Sequence, residues 1–249
     1  MENSLFSKIS ITDILSYIRY SRSKHVSRIY DLNKFMELKK IIKTQALTTY
    51  YQPIFNLDSK QIIGYEALNR PASFSKQFPT TESFYDYIGQ TNQVFHIEMV
   101  ARNLAIKKFH DALKACPQQK AHLLFINIHP QVLVDSNYKS GETLELLHKY
   151  HLSPEQVVFE ITERTAVKDF VMFERVLSNY RSQGFRIAVD DAGSGFNSLK
   201  TLVHLKPEFI KLDRSLIDNI HNNIAQQQMV SLLVDFAERS NTNVLAEGI

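Results

Sequence analysis

The chain has 249 residues, of which 44% are hydrophobic and 22% charged, and its formal net charge is +3. This length suits one large domain with or without a small extension, and so small a charge does not indicate a nucleic-acid polymer as partner. The single cysteine, Cys116, excludes an internal disulfide and a cysteine-rich metal site. No apolar run approaches the roughly 18 residues of a membrane-spanning helix, and the N-terminus lacks the pattern of a signal peptide. We therefore expect a cytoplasmic protein.

Residues 1–44 predict helices without chemistry, and we assign them to an N-terminal helical extension ahead of a domain at 45–249. Apolar side chains recur at helical spacing within 5–18 and again within 35–42. Basic residues accompany the first stripe, so one interpretation is an amphipathic helix on a membrane surface. The interpretation we favour is a helix that packs on the domain or links it to a partner.

From residue 45 onward, strand-like and helix-like segments alternate. Two strand-like runs, Tyr50–Phe55 and Gln61–Leu68, are joined by a short polar connection that indicates a hairpin. The helical spacing of apolar residues predicts mainly helix over 82–116 and one long helix over 216–236. A short apolar strand is predicted around 123–128 and a short helix over 144–150. Later strands are predicted at 157–163, 187–189, 209–213 and 244–247.

This alternation predicts an α/β fold. The spans between strands are long enough for right-handed crossovers, which a TIM-like (β/α) barrel requires. A doubly wound open sheet is the alternative, but its signature is one glycine-rich turn. The turn at Gly193-Ser194-Gly195 lacks the third glycine of that signature.

Polar side chains follow the predicted strands, where the ligand-binding edge of a parallel barrel lies. They are Glu66, Asn127, Glu160, Glu163, Asp190, Asp191, Lys211 and Glu247. Carboxylates that converge repel one another unless cations intervene, and an all-oxygen donor set favours Mg²⁺ or Mn²⁺ over structural zinc. Two ions about 3.5–4 Å apart would suit in-line displacement at phosphorus, with Lys211 orienting water or stabilising the leaving oxygen. A Schiff base at Lys211 is a second possible chemistry, but it leaves the carboxylates unexplained.

Seven segments then occur in a characteristic order: YQPI (51–54), GYEAL with Arg70 (64–70), FINIHP (125–130), FEITE (159–163), VDDAGSGFNSL (189–199), FIKLD (209–213) and AEG (246–248). With these segments the chain, over about residues 37–249, resembles the EAL-domain phosphodiesterases. That family hydrolyses the bacterial second messenger cyclic di-GMP to linear pGpG. The resemblance implies a barrel whose first strand is antiparallel to the others. The competing function is a catalytically inactive cyclic di-GMP receptor or a protein-interaction module.

The resemblance also implies roles for individual residues. It implies that the cations, two of Mg²⁺ or Mn²⁺, are bound by Glu66, Asn127, Glu160, Asp190 and Asp191. It implies that Lys211 helps to position the attacking water, that Glu247 supports the cluster of metal, water and lysine, and that Glu163 holds the loop after Asp191. It implies that Gln52, Leu68 and Arg70 contact the substrate, with Arg70 at a phosphate.

In this family the loop and helix after Asp191 couple dimerisation to activity, so the resemblance implies a homodimer through them. The chain departs from the usual pattern at Asn69, His129, Ala192 and Ser194. It also ends at Ile249, just after the strand that corresponds to the seventh. We therefore expect a barrel that lacks its last β/α unit, exposes its sheet edges and is prone to aggregate.

Overall fold

The computed structural model describes residues 30–116, 121–129, 132, 141–162, 170–193 and 198–248. Contacts along the backbone divide the chain into two compact units. The first combines residues 1–46 with 71–87, and the second combines 47–70 with 88–249. Much of the N-terminal extension, residues 1–29, lies outside the described residues, and its boundary at residue 44 stays a prediction.

The first unit is held together by a small aromatic cluster. It contains helix α1, residues 30–44, and most of helix α2, Thr81–Gly89. The rings of Phe78 and Phe84 are both buried and meet edge to face at 5.2 Å between centroids. The Tyr87 hydroxyl donates a hydrogen bond to the Asp31 carbonyl oxygen at 3.1 Å, which ties α2 to the start of α1.

Within the described residues, the second unit is built on one sheet of seven strands in the order of the chain. The strands are β1 (Leu47–Phe55), β2 (Ile62–Pro71), β3 (Leu123–Asn127), β4 (Val157–Thr162), β5 (Arg186–Ala192), β6 (Phe209–Leu212) and β7 (Asn243–Ala246). The helices are α3 (Val94–Ala115), α4 (Glu142–Lys149), α5 (Phe170–Ser182), α6 (Ser198–Leu205), α7 (Arg214–Ile217) and α8 (Ile224–Ser240). Among the described residues, no helix combines the length and the apolar composition needed to cross a membrane.

The topology confirms the predicted TIM-like architecture. Strands β2 to β7 pair in parallel with their neighbours in the sequence. Strand β1 precedes them and returns into β2 through a tight hairpin, in which the Asn56 amide donates to the Gln61 carbonyl oxygen at 2.9 Å. The sheet therefore curls as a partial barrel of seven strands whose first strand is antiparallel.

Two apolar layers lie on opposite faces of the sheet. Side chains from the outer face of the strands, such as Ile126, Phe159 and Ile187, pack against Leu177 of α5 and Leu233 of α8 in the main core. A smaller buried cluster of Phe125, Val158, Ala188 and Phe209 fills the inner face. Strands that are buried on both faces read as continuous apolar runs, which is typical of parallel sheets.

One glycine is required by the sheet itself. A Cβ added at Gly64 of β2 would lie 2.6 Å from the carbonyl oxygen of Leu123 on β3. A separation this short is a steric clash with backbone, which cannot move aside without disturbing the ladder. Gly64 therefore lets β2 approach β3 two residues before Glu66.

The helix predictions need correction at one place. Residues 82–116 are mainly helical, as predicted, and form two helices, α2 and α3, with a turn between Gly89 and Val94. The long helix predicted over 216–236 is wrong at its start, where α7 ends at Ile217 and α8 begins at Ile224. Asn219 adopts a left-handed φ of 57° that ends one segment, and the side chain of Asn223 caps the next by accepting from the Ala225 and Gln226 amides.

Candidate active site

The period of two along each strand places the polar residues of the site. The inner apolar cluster contributes one residue from each of β3, β4, β5 and β6, and the residue two positions further on lies on the same face, nearer the carboxyl end. These second residues are Asn127, Glu160, Asp190 and Lys211. The barrel thus carries a polar layer directly beyond its apolar inner layer, at the edge where the sequence predicts the site.

Lys211 lies at the centre of this layer. Its side chain is only 4% exposed, although it carries an ammonium group. Its Nζ lies 3.1 Å from Glu66 Oε2, 2.9 Å from Glu160 Oε1, 3.1 Å from Asp190 Oδ1 and 2.7 Å from Glu247 Oε1. Carboxylates from β2, β4 and β5, together with the one that follows β7, therefore converge on a single cation.

This arrangement has more negative than positive charge, and the pKa values of its members reflect that. Burial raises the pKa of Glu160 well above its usual range, and repulsion from Glu66 and Asp190 adds to the rise while Lys211 opposes it. Burial also raises the pKa of Glu247. Burial alone would lower the pKa of Lys211, but the surrounding carboxylates, Glu160 first, raise it instead. Lys211 is therefore an ammonium ion at any physiological pH.

The donor set fits divalent cations. The side chain of Glu160 is fully buried, and its Oε2 has no hydrogen-bond partner within the part of the chain that the structure describes. A buried carboxylate oxygen left in that state is costly unless a cation binds it. Asn127 Nδ2 donates a hydrogen bond to Glu66 Oε1 at 3.1 Å. The Asn127 amide oxygen is left as a further possible ligand of a cation. Oxygen ligands of this kind are those that Mg²⁺ and Mn²⁺ prefer.

Asp190 and Asp191 reach the same region because the strand is irregular there. Consecutive residues of a regular strand point to opposite faces, but the β5–β6 register shifts between Val189 and Ala192, and Asp191 has a left-handed φ of 57°. One carboxylate oxygen from each of Asp190, Asp191 and Glu247 lies within 4.8 Å of the other two. A bulge that redirects a side chain is common beside active sites, and here it offers three acidic ligands to one position.

The remaining predicted residues are less closely grouped. Gln52 lines the same cleft of about 810 Å³ as Glu66, Lys211 and Glu247. Leu68 and Arg70 follow Glu66 at intervals of two on β2, so they share its face of the sheet. No described contact joins either one to the lysine cluster. Glu163 lies outside the described residues, so its role stays a prediction.

A second buried charged group, absent from the sequence predictions, supports the strands that carry the site. Glu98 and Arg102 lie one turn apart on α3, with 15% and 3% of their side chains exposed. Glu98 Oε1 accepts the backbone amide of His129 at 2.7 Å, just beyond Asn127. Arg102 Nη1 donates to Thr143 Oγ1 of α4 at 2.7 Å, and its guanidinium carbon lies 5.6 Å from the centre of the Phe159 ring.

The sequence gives little indication that Glu98 and Arg102 are buried. Glutamate and arginine at i and i+4 are typical of an exposed helix face, and the apolar spacing of α3 does not by itself predict that they are buried. Burial raises the pKa of Glu98 to about 7, even though Arg102 and the His129 amide oppose the rise. Glu98 and Arg102 therefore form a polar support between α3, α4 and the end of β3.

The raised pKa of Glu98 predicts a pH dependence of stability. Because the folded state favours the protonated carboxyl, protonated Glu98 adds to the free energy of unfolding. This contribution is complete below pH about 4.5 and is lost as the pH rises through about 7. A shift of this size corresponds to about 3 kcal/mol in the free energy of unfolding. Glu98→Gln keeps the oxygen that accepts from His129 but cannot ionise, so we expect a flatter dependence between pH 5 and 8 by urea unfolding. Glu145→Gln, at an exposed position of α4, is the control. If the stability of Glu98→Gln changes with pH as steeply as that of the wild type, the assignment of this pH dependence to Glu98 is contradicted.

Comparison with known proteins agrees with this geometry. Residues 36–249 match the EAL domain. The chain is 28% identical over 214 residues to the probable cyclic di-GMP phosphodiesterase PdeB of Escherichia coli, an alignment that covers 85% of this chain and 39% of that protein. It is 25% identical over 214 residues to the cyclic di-GMP phosphodiesterase PdeA of Borreliella burgdorferi, covering 86% of this chain and 31% of the relative. The chain thus spans well under half the length of these relatives.

Solved structures give the same result. The EAL enzyme Bd1971, bound to cAMP and cyclic di-GMP, superposes with a TM-score of 0.79 at 26% identity and covers 98% of this chain and 68% of its own. Klebsiella pneumoniae BlrP1 with cyclic di-GMP superposes at 27% identity, with TM-scores of 0.70 for the calcium complex and 0.69 for a manganese complex. These BlrP1 matches cover 83% and 82% of this chain and about half of BlrP1. With its match to the family over residues 36–249, the chain belongs to the EAL domain family.

Proposed function

We propose that the protein is a metal-dependent phosphodiesterase that hydrolyses cyclic di-GMP to linear pGpG. The observation that carries this proposal is the convergence of four carboxylates on the buried ammonium of Lys211 at the carboxyl ends of the strands. Cyclic di-GMP is proposed as the substrate because the relatives in Escherichia coli and Borreliella burgdorferi are named for it and because it is bound in the solved complexes.

The cations would be held by the oxygen donors of the cluster. We propose two ions of Mg²⁺ or Mn²⁺, with Glu66, Asn127, Glu160 and Asp190 as ligands and Asp191 at the second ion. Bound there, divalent cations would stabilise negative charge that develops on the phosphate oxygens and lower the pKa of water. The manganese and calcium complexes of BlrP1 support a divalent ion in this family, without identifying the ion used here.

The remaining residues have roles that follow from their charge and position. In the hydrolysis, a water oxygen forms a bond to phosphorus as the bond from phosphorus to the ester oxygen breaks. The water gives up a proton, and the ester oxygen takes up a proton as it leaves. Lys211 has the donors to orient the water, and Glu247, 2.7 Å from its Nζ, fixes the ammonium. Gln52, Leu68 and Arg70 would contact the dinucleotide, with the Arg70 guanidinium at a phosphate. Glu163 would hold the loop after Asp191.

We also propose a homodimer formed through the loop and helix after Asp191. Val203 on α6, the helix that follows this loop, is 56% exposed, so Val203→Lys places a charge on the proposed interface. Sedimentation equilibrium should give a mass of two chains for the wild-type protein and a smaller mass for Val203→Lys. A monomer at all concentrations would contradict the proposal.

Turnover tests the proposed enzyme directly. We expect the chain to convert cyclic di-GMP to pGpG with Mg²⁺ or Mn²⁺, and to lose this activity when a chelator is added. Glu66→Gln should lower the rate by about 100-fold or more, because even groups that only support metal ligands contribute up to that factor. Product is measured by chromatography, with Glu145→Gln as the matched control on the surface. Binding of cyclic di-GMP without turnover would favour a receptor. The absence of both binding and turnover would contradict the proposal.

A further inference from the structure

A tyrosine that no motif includes lies against Arg70. The guanidinium carbon of Arg70 is 5.2 Å from the centre of the Tyr50 ring. The Tyr50 side chain is 54% exposed and Arg70 is exposed too, so neither is held there by burial in a core. A guanidinium within about 6 Å of an aromatic ring centre is attracted to the face of the ring.

The strand alternation places this pair on the inner face of the sheet. On β1, the Tyr51 hydroxyl donates to the Ala105 carbonyl oxygen of α3 at 2.6 Å, so Tyr51 points toward the helices. Its neighbours Tyr50 and Gln52 therefore point to the opposite face. Ile54, two residues beyond Gln52 on the same face of β1, packs against the inner apolar cluster, which agrees with that direction.

The neighbouring strand gives the same result. On β2, the ring of Tyr65 packs beside Phe109 of α3, with 6.4 Å between ring centroids, and so faces the helices. Glu66 and, four residues on, Arg70 then lie on the inner face. At about 3.3 Å per residue, Arg70 lies about 13 Å along the strand from Glu66, toward the rim.

Two features make this a prepared contact. Thr49 Oγ1, on a buried side chain, donates to Asn69 Oδ1 at 2.7 Å, which fixes the start of β1 against the end of β2 next to the pair. Within the described residues, no acceptor forms a hydrogen bond with the Arg70 guanidinium. A planar guanidinium that rests on a ring keeps its N–H edge open, and that edge matches two phosphate oxygens at once.

We propose that Tyr50 is a positioning residue for substrate binding: its ring holds the Arg70 guanidinium at the rim of the inner face, with the N–H edge turned toward a phosphate of the dinucleotide. This rests on the proposed function. An unsupported arginine on the surface would lose side-chain freedom when the phosphate binds, and Tyr50 removes part of that loss in advance. Tyr50 therefore contributes to affinity through Arg70 and has little effect on the chemical step.

A double-mutant cycle tests the proposal. The dissociation constant of cyclic di-GMP is measured by calorimetry in Ca²⁺, the ion of one BlrP1 complex, for wild type, Tyr50→Leu, Arg70→Ala and the double variant. We expect Tyr50→Leu to weaken binding about two- to five-fold in the wild-type background and to have no effect in the Arg70→Ala background. Tyr50→Phe keeps the ring and should restore wild-type affinity. In steady-state turnover, KM should rise in Tyr50→Leu while kcat is unchanged.

The control is Tyr30→Leu on α1, which removes a tyrosine ring of similar exposure, 47%, that also has a cation, Lys34 Nζ, 5.2 Å from its centre. It should leave affinity unchanged. Equal losses from Tyr50→Leu in both backgrounds would overturn the proposal, because the ring would then contact the ligand itself. Wild-type affinity in Tyr50→Leu would overturn it while leaving the proposed function intact. If the wild type neither binds nor hydrolyses the dinucleotide, the proposed function and this proposal both fail.

Discussion

The site depends on one buried ammonium group surrounded by carboxylates. Lys211 is almost wholly removed from solvent, yet it approaches oxygens of Glu66, Glu160, Asp190 and Glu247 within 3.1 Å. Desolvation of so many charges is expensive, and one cation does not balance four anions. Such a cluster is poorly explained as a stabilising device, because apolar side chains of the same volume would serve a core as well. It is well explained as a site prepared for additional positive charge.

The barrel makes this cluster possible. Parallel strands with right-handed crossovers bring all their carboxyl ends to one edge, so residues far apart in the chain, such as Glu66 and Lys211, meet as a direct result of topology. The inner apolar layer below them excludes water from one side, which raises the pKa of Glu160 and strengthens its attraction to any cation. On α3, Glu98 holds the segment after Asn127 through the His129 amide, and Arg102 ties α3 to Thr143 of α4.

Much of this could be predicted from the sequence, because short apolar runs that end in Glu160, Asp190 or Lys211 report both a buried strand and its polar end. Other features depend on information that local patterns lack. The left-handed backbone of Asp191 arises from a bulge against β6, and the burial of Arg102 arises from the packing of α3 beside α4 and Phe159. The break between α7 and α8 lay within reach, since Asn219 and Asn223 are good terminators and caps, but the apolar spacing across them favoured one helix.

The most direct measurement of the central claim is the free energy of unfolding as a function of Mn²⁺ concentration. If the cluster around Lys211 is a cation site, stability should rise with Mn²⁺ by about 1.4 kcal/mol per tenfold increase above the dissociation constant for each bound ion. Glu66→Gln should reduce the rise, and the exposed Glu145→Gln should leave it unchanged. A folded wild-type protein whose stability does not respond to millimolar Mn²⁺ would contradict the account, because the surplus carboxylates would then have no cation to bind.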